Sequence, residues 1–286
     1  MNQRDYILNR RLKKAVETTR DLDANKYASN VTKARNVYYD ESREDPVIPL
    51  KVHWLYITHN SHLPEYAIGN IKADINLLNA ADGPDCWQYY LWTNNLELAE
   101  CKNEYGLICK NIFDLAHIDD YSPLIAFFMK QKYFSALSDM GRFLIMNEVG
   151  GIYCDVDYVF TSSPKYLHFI YNSYFGMERD EWQGSMASGF LAGEKEHPIF
   201  SFVIDLNRSF FTMPQLNYCV DKNMMPKEEE LSCWAKTIAG GPEAITRAVH
   251  VMANDNSKQD LILGNFILSQ KPENSDYSEI IIVENK

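Results

Sequence analysis

The sequence predicts an α/β domain with a mainly parallel sheet flanked by helices, preceded by a helical extension. Strand-like runs at 50–57, 87–92, near 107–109 and at 152–160 alternate with helical segments around 65–79, 95–102 and 123–149, the pattern of βαβ units. A charged stretch from Tyr39 to Asp45 ends on Pro46 and separates this alternation from what precedes it, dividing the chain into an extension over 1–45 and a main domain over 46–286. The third observation is a helix that passes through Gly150 and Gly151 straight into an apolar strand.

The extension is basic. Residues 1–35 hold nine Lys or Arg against four Asp or Glu, a net of +5, which leaves −16 on the remainder of a chain of net charge −11. Leu8, Leu12, Ala15, Val16, Thr19 and Leu22 space like one helical face, with Arg10, Arg11, Lys13 and Lys14 alongside. Weak contact of residues 4–22 with an anionic membrane surface, contact with another protein, and packing as a capping helix with a solvated basic side all fit that pattern. The acidic body argues against nucleic acid as a partner, because phosphate binding needs clustered cations.

The 286 residues are long enough to bury roughly three quarters of the unfolded surface. No apolar run approaches the roughly 20 residues of a membrane helix, and Met1-Asn2-Gln3-Arg4-Asp5 opens no apolar signal core, so the expected place is a cytosol. Cysteines at 86, 101, 109, 154, 219 and 233 form neither a close metal-binding pair nor a dense disulfide pattern, and reduced structural cysteines are expected. His53, His59 and His62 have no zinc spacing and are read as surface or loop histidines. Gly240-Gly241-Pro242 lacks the lysine of a phosphate loop and is read as a helix start with Pro242 in its first turn.

The helix of the third observation has apolar residues at Tyr133, Leu137, Met140 and Leu144, a 3.6-residue spacing. Ser138, Asp139 and Arg142 share the other side, flanked by Ile145 and Met146. A carboxylate and a guanidinium in such surroundings need partners, either each other as an i,i+3 ion pair or a polar ligand with hydroxyls and phosphates. The following run, Ile152 to Phe160, is β-branched and aromatic and is expected to be one strand. Asp155 and Asp157 would then project from one face. Carboxylates so placed repel unless a cation sits with them, and hard oxygen ligands suit Mg²⁺ or Mn²⁺.

Ser138, Asp139, Arg142, Gly150, Gly151, Ile152, Tyr153, Asp155 and Asp157 together resemble the glycosyltransferases whose sugar-binding region contains a DXD motif. That group includes small bacterial and eukaryotic sugar transferases and the glucosylating domains of large clostridial toxins. Ile48 to Ile57 with Leu63-Pro64-Glu65 looks like the family's opening strand, and Trp87 to Asn95 like its second. Ser188-Gly189-Phe190-Leu191, His197-Pro198 and Gly241 to Ala244 fit more loosely, so the likeness spans about 47–250.

The resemblance implies a GT-A-like fold and transfer from a nucleotide sugar, UDP-linked, with retention at the anomeric carbon. It implies Asp157 and Asp155 as ligands of Mn²⁺ or Mg²⁺, with Asp155 also near the sugar. Asp139 and Arg142 would hold sugar hydroxyls and the diphosphate side, and Ser138, Tyr153 and Asn95 would stand near the donor. Tyr56 takes the place of a tryptophan that stacks on uracil in the toxin relatives and keeps a π face. Both a protein side chain and a surface glycan are compatible acceptors; the separate basic extension tips the reading toward protein. An anchorless chain would be cytoplasmic, or an effector exported without a classical signal.

Two departures stand out. Ser188 replaces the asparagine usual before Gly-Phe-Ile, and the chain closes on Ile282 to Lys286 without the late tryptophan of relatives, leaving Glu284 or Asn285 as possible completions of the metal site. The run ending in Asp155-Val156-Asp157 also resembles the first motif of haloacid-dehalogenase-type phosphatases, where the first aspartate attacks phosphate. No Gly-Asp-x-x-x-Asp segment follows residue 160, and that chemistry has no use for Asp139 and Arg142. An inactive sugar-nucleotide-binding protein would be expected to have lost one of the two aspartates, and both are present.

Overall fold

A computed structural model describes residues 45–102, 106–177, 186–211, 241–252, 260–263, 268–269 and 278–280. The extension, its contact over residues 4–22, and Glu284 and Asn285 lie outside the described residues. The chain runs β1 (Lys51–Tyr56), α1 (Glu65–Asp82), β2 (Gln88–Thr93), β3 (Leu107–Asn111), α2 (Ser122–Gln131), α3 (Phe134–Val149), β4 (Gly151–Cys154), β5 (Tyr158–Phe160) and α4 (Leu167–Ile170). It continues through β6 (Ser173–Met177), β7 (Met186–Gly193), α5 (Pro198–Phe211), α6 (Pro242–Met252), β8 (Asp260–Leu263), β9 (Leu268–Ser269) and β10 (Ser278–Ile280).

Seven strands make the main sheet in the order β3-β2-β1-β4-β7-β6-β8. Neighbours pair parallel except at β4–β7 and β7–β6. The mainly parallel sheet expected from the strand–helix alternation is therefore present. A small sheet, β5-β10-β9, stands beside it and sets Ser278 next to Tyr158.

Strands covered on both faces read as near-continuous apolar runs, and all eight residues of β7 are buried. Side chains alternate between two cores. On one face Leu55, Tyr153 and Leu191 pack with Leu137, Phe143 and Met146 of α3, Phe200 of α5 and Ile245 of α6. On the other, Trp54, Ile152 and Phe190 pack with Ile71 and Leu78 of α1. Pro242 opens α6 as the sequence predicts. No helix among the described residues is long and apolar enough to cross a membrane.

Several expectations are corrected. The strand expected over 152–160 stops at Cys154, because a turn closed by the Tyr158 N–H on the Asp155 carbonyl at 3.0 Å separates β4 from β5. Asp155 and Asp157 thus lie in a turn, and strand alternation does not align them. The helical region 123–149 is two helices, since Lys132 turns left-handed at φ 60° and ends α2. The helix expected around 95–102 is a single 3-10 turn, Ala99–Lys102, preceded by a loop in which Asn95 Oδ1 accepts the Glu97 N–H.

Cys101 and Cys109, expected to be reduced, form a disulfide with Cα atoms 5.5 Å apart, within the usual span for such a bridge. It fastens the 3-10 turn to the edge strand β3. His53 is wholly buried, whereas His59 and His62 are exposed as expected. A histidine in the middle of a central parallel strand has no route to water, and burial holds its pKa down to about 3.

Candidate functional site

The two glycines after α3 carry out the sharp change of direction the sequence predicts. Gly150 has φ 66° and its N–H returns to the Met146 carbonyl; Gly151 has φ 112°, with a hypothetical Cβ 2.6 Å from the Lys51 carbonyl oxygen. Only glycine fits such a position. His53 braces the corner. Trp92 Nε1 donates to His53 Nδ1 at 3.1 Å, which puts the imidazole proton on Nε2, from where it is donated to the Gly150 carbonyl at 2.8 Å. The buried neutral ring therefore ties β1, β2 and the end of α3 together.

This corner brings the end of β4 beside α3. Arg142 is 5% exposed and is surrounded by acceptors. Its Nη2 lies 2.6 Å from Asp139 Oδ1 and 3.6 Å from Asp155 Oδ1. Nη1 donates to the Ser188 carbonyl at 2.6 Å and to Ser188 Oγ at 3.1 Å, and Nε donates to the Ser138 carbonyl at 3.4 Å. The Tyr153 ring lies 5.2 Å from the guanidinium carbon, and the Tyr153 hydroxyl donates to Asp155 Oδ1 at 2.7 Å. Of the two partner types weighed for Arg142 from the sequence, the i,i+3 pair with Asp139 forms, and the guanidinium also reaches Asp155 and Ser188.

The electrostatics follow from this crowding. Burial opposes the Arg142 charge, but Asp155, Tyr153 and Asp139 around it outweigh burial and hold it protonated. Burial pushes the Asp139 carboxyl up to about 6 in spite of Arg142, with Asp155 adding to the rise. The shared Arg142 cation does not fully offset the desolvation of Asp139. Burial, with Asp155 next, raises the Tyr153 phenol well above its usual range, so the phenol stays a donor.

Ser188 lies on β7 and not in a loop. Its hydroxyl and carbonyl face Arg142, and the next residue explains its own identity: a Cβ on Gly189 would fall 2.7 Å from Asp155 Oδ2 and 2.9 Å from the Tyr158 ring. Tyr56 closes β1, and Asn95 follows the end of β2 by two residues, at the same end of the sheet. Parallel register sets Tyr56 beside Thr93 and Val52 beside Ile152, so β1 and β2 end level and β4 ends beside them two residues earlier. Ligands of such sheets bind at those carboxyl ends. Tyr56 is half-buried there, and burial raises its phenol pKa. Asn94 bonds the Thr58 N–H at 2.7 Å and the Thr58 carbonyl at 2.9 Å, joining the two loops. Asn95 Nδ2 donates to the Asn60 carbonyl at 3.0 Å, so its amide serves the loop.

Residues outside the sequence-based selection support the turn from below. Asn70 Nδ2 donates to the Val156 carbonyl at 3.0 Å, and Asp74 Oδ1 accepts the Phe160 N–H at 2.7 Å. Burial raises the Asp74 carboxyl to about 8, opposed by that N–H, so at neutral pH it keeps its proton. The only sequence signal was a pair of polar residues four apart on a helix otherwise apolar on that side.

As to a cation, Asp155 and Asp157 supply hard oxygens, and Asp155 Oδ1 is already engaged by Tyr153 and Arg142. Among the described residues no group of three or more His, Cys, Asp or Glu could hold a metal ion. That donor set does not make an all-protein cage; it fits a cation of the Mg²⁺ type that uses one or two carboxylates and completes its shell with substrate phosphates and water.

Residues 64–175 match the family described as glycosyltransferase sugar-binding region containing DXD motif. No curated protein sequence matches. Among solved structures, the PaToxG glycosyltransferase aligns with a TM-score of 0.51 at 17% identity, over 87% of this chain and 82% of that one. The UDP-bound glycosyltransferase domain of the YGT toxin aligns with a TM-score of 0.48 at 9% identity, over 76% of this chain and 80% of that one. The likeness to PaToxG is one of fold, and the architecture is GT-A-like.

Proposed function

We propose that this chain, a glycosyltransferase carrying a DXD sugar-binding region, moves a sugar with retention from a UDP-linked donor to a protein side chain, using Mn²⁺ or Mg²⁺. The observation that carries the reading is the meeting of Asp139, Arg142, Asp155 and Ser188 at the carboxyl ends of the parallel strands, around a buried guanidinium.

In this reading Tyr56, at the end of β1, stacks on the uracil. Asp139 and Asp155 accept hydrogen bonds from sugar hydroxyls, with Ser138, Tyr153 and Asn95 lining the donor. Arg142 aligns the two carboxylates and places its charge on the diphosphate side. Asp157, with Asp155, holds the divalent ion, whose chemistry is to neutralise the departing diphosphate without proton transfer. The Tyr153 hydroxyl keeps Asp155 in one orientation. With retention, the acceptor hydroxyl attacks from the face the diphosphate leaves, so no strong protein base is required.

A panel of UDP- and GDP-sugars, each assayed with and without Mn²⁺ for hydrolysis and for protection against thermal unfolding, tests the proposal. The expected result is Mn²⁺-dependent hydrolysis of one UDP-sugar and a raised unfolding temperature with it; at a hundredfold excess over Kd the stabilisation is about 2.7 kcal/mol. Preference for a GDP-sugar would overturn the assignment of uracil, and no response to any donor would overturn the proposal.

A further inference from the structure

Helix α1 runs along the segment that begins inside the Asp155-Val156-Asp157 turn. Asn70, Asp74 and Asp82 fall on one stripe of that helix, with Leu78 between the last two, because residues four apart stand one above another. Each holds a different point of the segment. Asn70 Nδ2 donates to the Val156 carbonyl at 3.0 Å, Asp74 Oδ1 accepts the Phe160 N–H at 2.7 Å, and Asp82 Oδ2 accepts the Ser163 hydroxyl.

Packing alone does not call for this stripe. Asn70 is 8% exposed and Asp74 is fully buried, in positions that an apolar residue of similar size would fill. Asp74 Oδ2 has no hydrogen-bond partner among the described residues, and a buried polar atom left so is destabilising. What the pair secures in return is the backbone immediately before Asp157 and three residues after it. Residues behind a metal ligand that fix its orientation typically change metal affinity by about 10–100-fold when removed.

We propose that Asn70 and Asp74 are positioning residues for Asp157, holding its turn from below so that the carboxylate meets the donor-bound cation in one place. This rests on the reading of Asp157 as a ligand of that cation. The role is one of positioning, since both side chains bond the backbone of the segment that carries Asp157.

The full chain tests it in three variants. Asn70→Leu removes the donor to Val156 without adding charge; Asp74→Leu removes the acceptor for Phe160; Asp74→Asn keeps an acceptor oxygen in place. Mn²⁺ binding in the presence of UDP is followed by the paramagnetic resonance of the free ion, beside donor hydrolysis and thermal unfolding. Wild type is expected to bind Mn²⁺ with UDP, and Asn70→Leu to bind it about tenfold or more weakly while still unfolding cooperatively above the assay temperature. Its kcat should fall at saturating donor with KM for the donor little changed. Asp74→Asn should stay within about threefold of wild type in both affinity and kcat, and Asp74→Leu should lose as much as Asn70→Leu or fail to fold. A folded Asn70→Leu with wild-type Mn²⁺ affinity, or an Asp74→Asn as impaired as Asp74→Leu, would overturn the inference alone. If wild type with UDP binds no Mn²⁺, the metal role of Asp157 falls and this inference with it.

Discussion

The guanidinium of Arg142 bonds or contacts Ser138, Asp139, Asp155 and Ser188, which come from α3, the end of β4 and β7. A planar fork with five donors can meet such a set, whereas a lysine ammonium is a single point with three. Arg142→Lys is therefore expected to keep the charge and lose either the carboxylate pair or Ser188, destabilising the fold by about 2–4 kcal/mol and lowering turnover at least tenfold. Neutralising the pair with Asp139→Asn and Arg142→Gln should recover at most stability, which unfolding measured beside donor hydrolysis will separate from activity. At this scale the sequence was legible where charge met an apolar face. Asp139 and Arg142 stood out because Ile145 and Met146 flank them, and Ser188 stood out as a departure from the family pattern. His53 was misread because a lone histidine carries no mark of burial; the informative context was its place between Val52 and Trp54, both wholly buried.

Among the elements, α3 was the easiest to read, since its apolar spacing, Gly150 and Gly151 all agree with one outcome. The stretch after it was the hardest. Val156, Tyr158 and Val159 have strong strand preference, and nothing local marks the turn that starts at Asp155 except an aspartate, a residue common at the first position of such turns. Tertiary bonds from α1 to Val156 and Phe160 decide the outcome. The same packing makes β7 a sensitive element. A Cβ at Gly189 would meet Asp155 Oδ2 at 2.7 Å and the Tyr158 ring at 2.9 Å, and neither neighbour is at the loose end of a flexible chain. Gly189→Ala is expected to displace Asp155 and to reduce donor hydrolysis by tenfold or more, for a stability loss of about 1–3 kcal/mol. Activity equal to wild type in the folded variant would mean that the position of Asp155 does not matter to turnover.

On the scale of the whole molecule, the parallel half of the sheet was readable from alternation alone, because each strand–helix–strand unit leaves the same signature. The reversed strand β7 and the disulfide between Cys101 and Cys109 were not, since both depend on which distant segments meet. Assembly of the sheet gathers Tyr56, Asp139, Arg142, Tyr153, Asp155 and Ser188 at one edge from stretches more than 130 residues apart. In the function we propose, this edge holds a nucleotide sugar through a cation at Asp157, and the Asp157→Asn variant decides between that role and a purely structural one. The change removes one negative charge and almost no volume, so folding should survive. In wild type, EDTA should abolish donor hydrolysis and Mn²⁺ should return it; in Asp157→Asn, excess Mn²⁺ should not. A hydrolysis rate in Asp157→Asn equal to that of wild type, or a wild-type rate that EDTA leaves unchanged, would contradict the account.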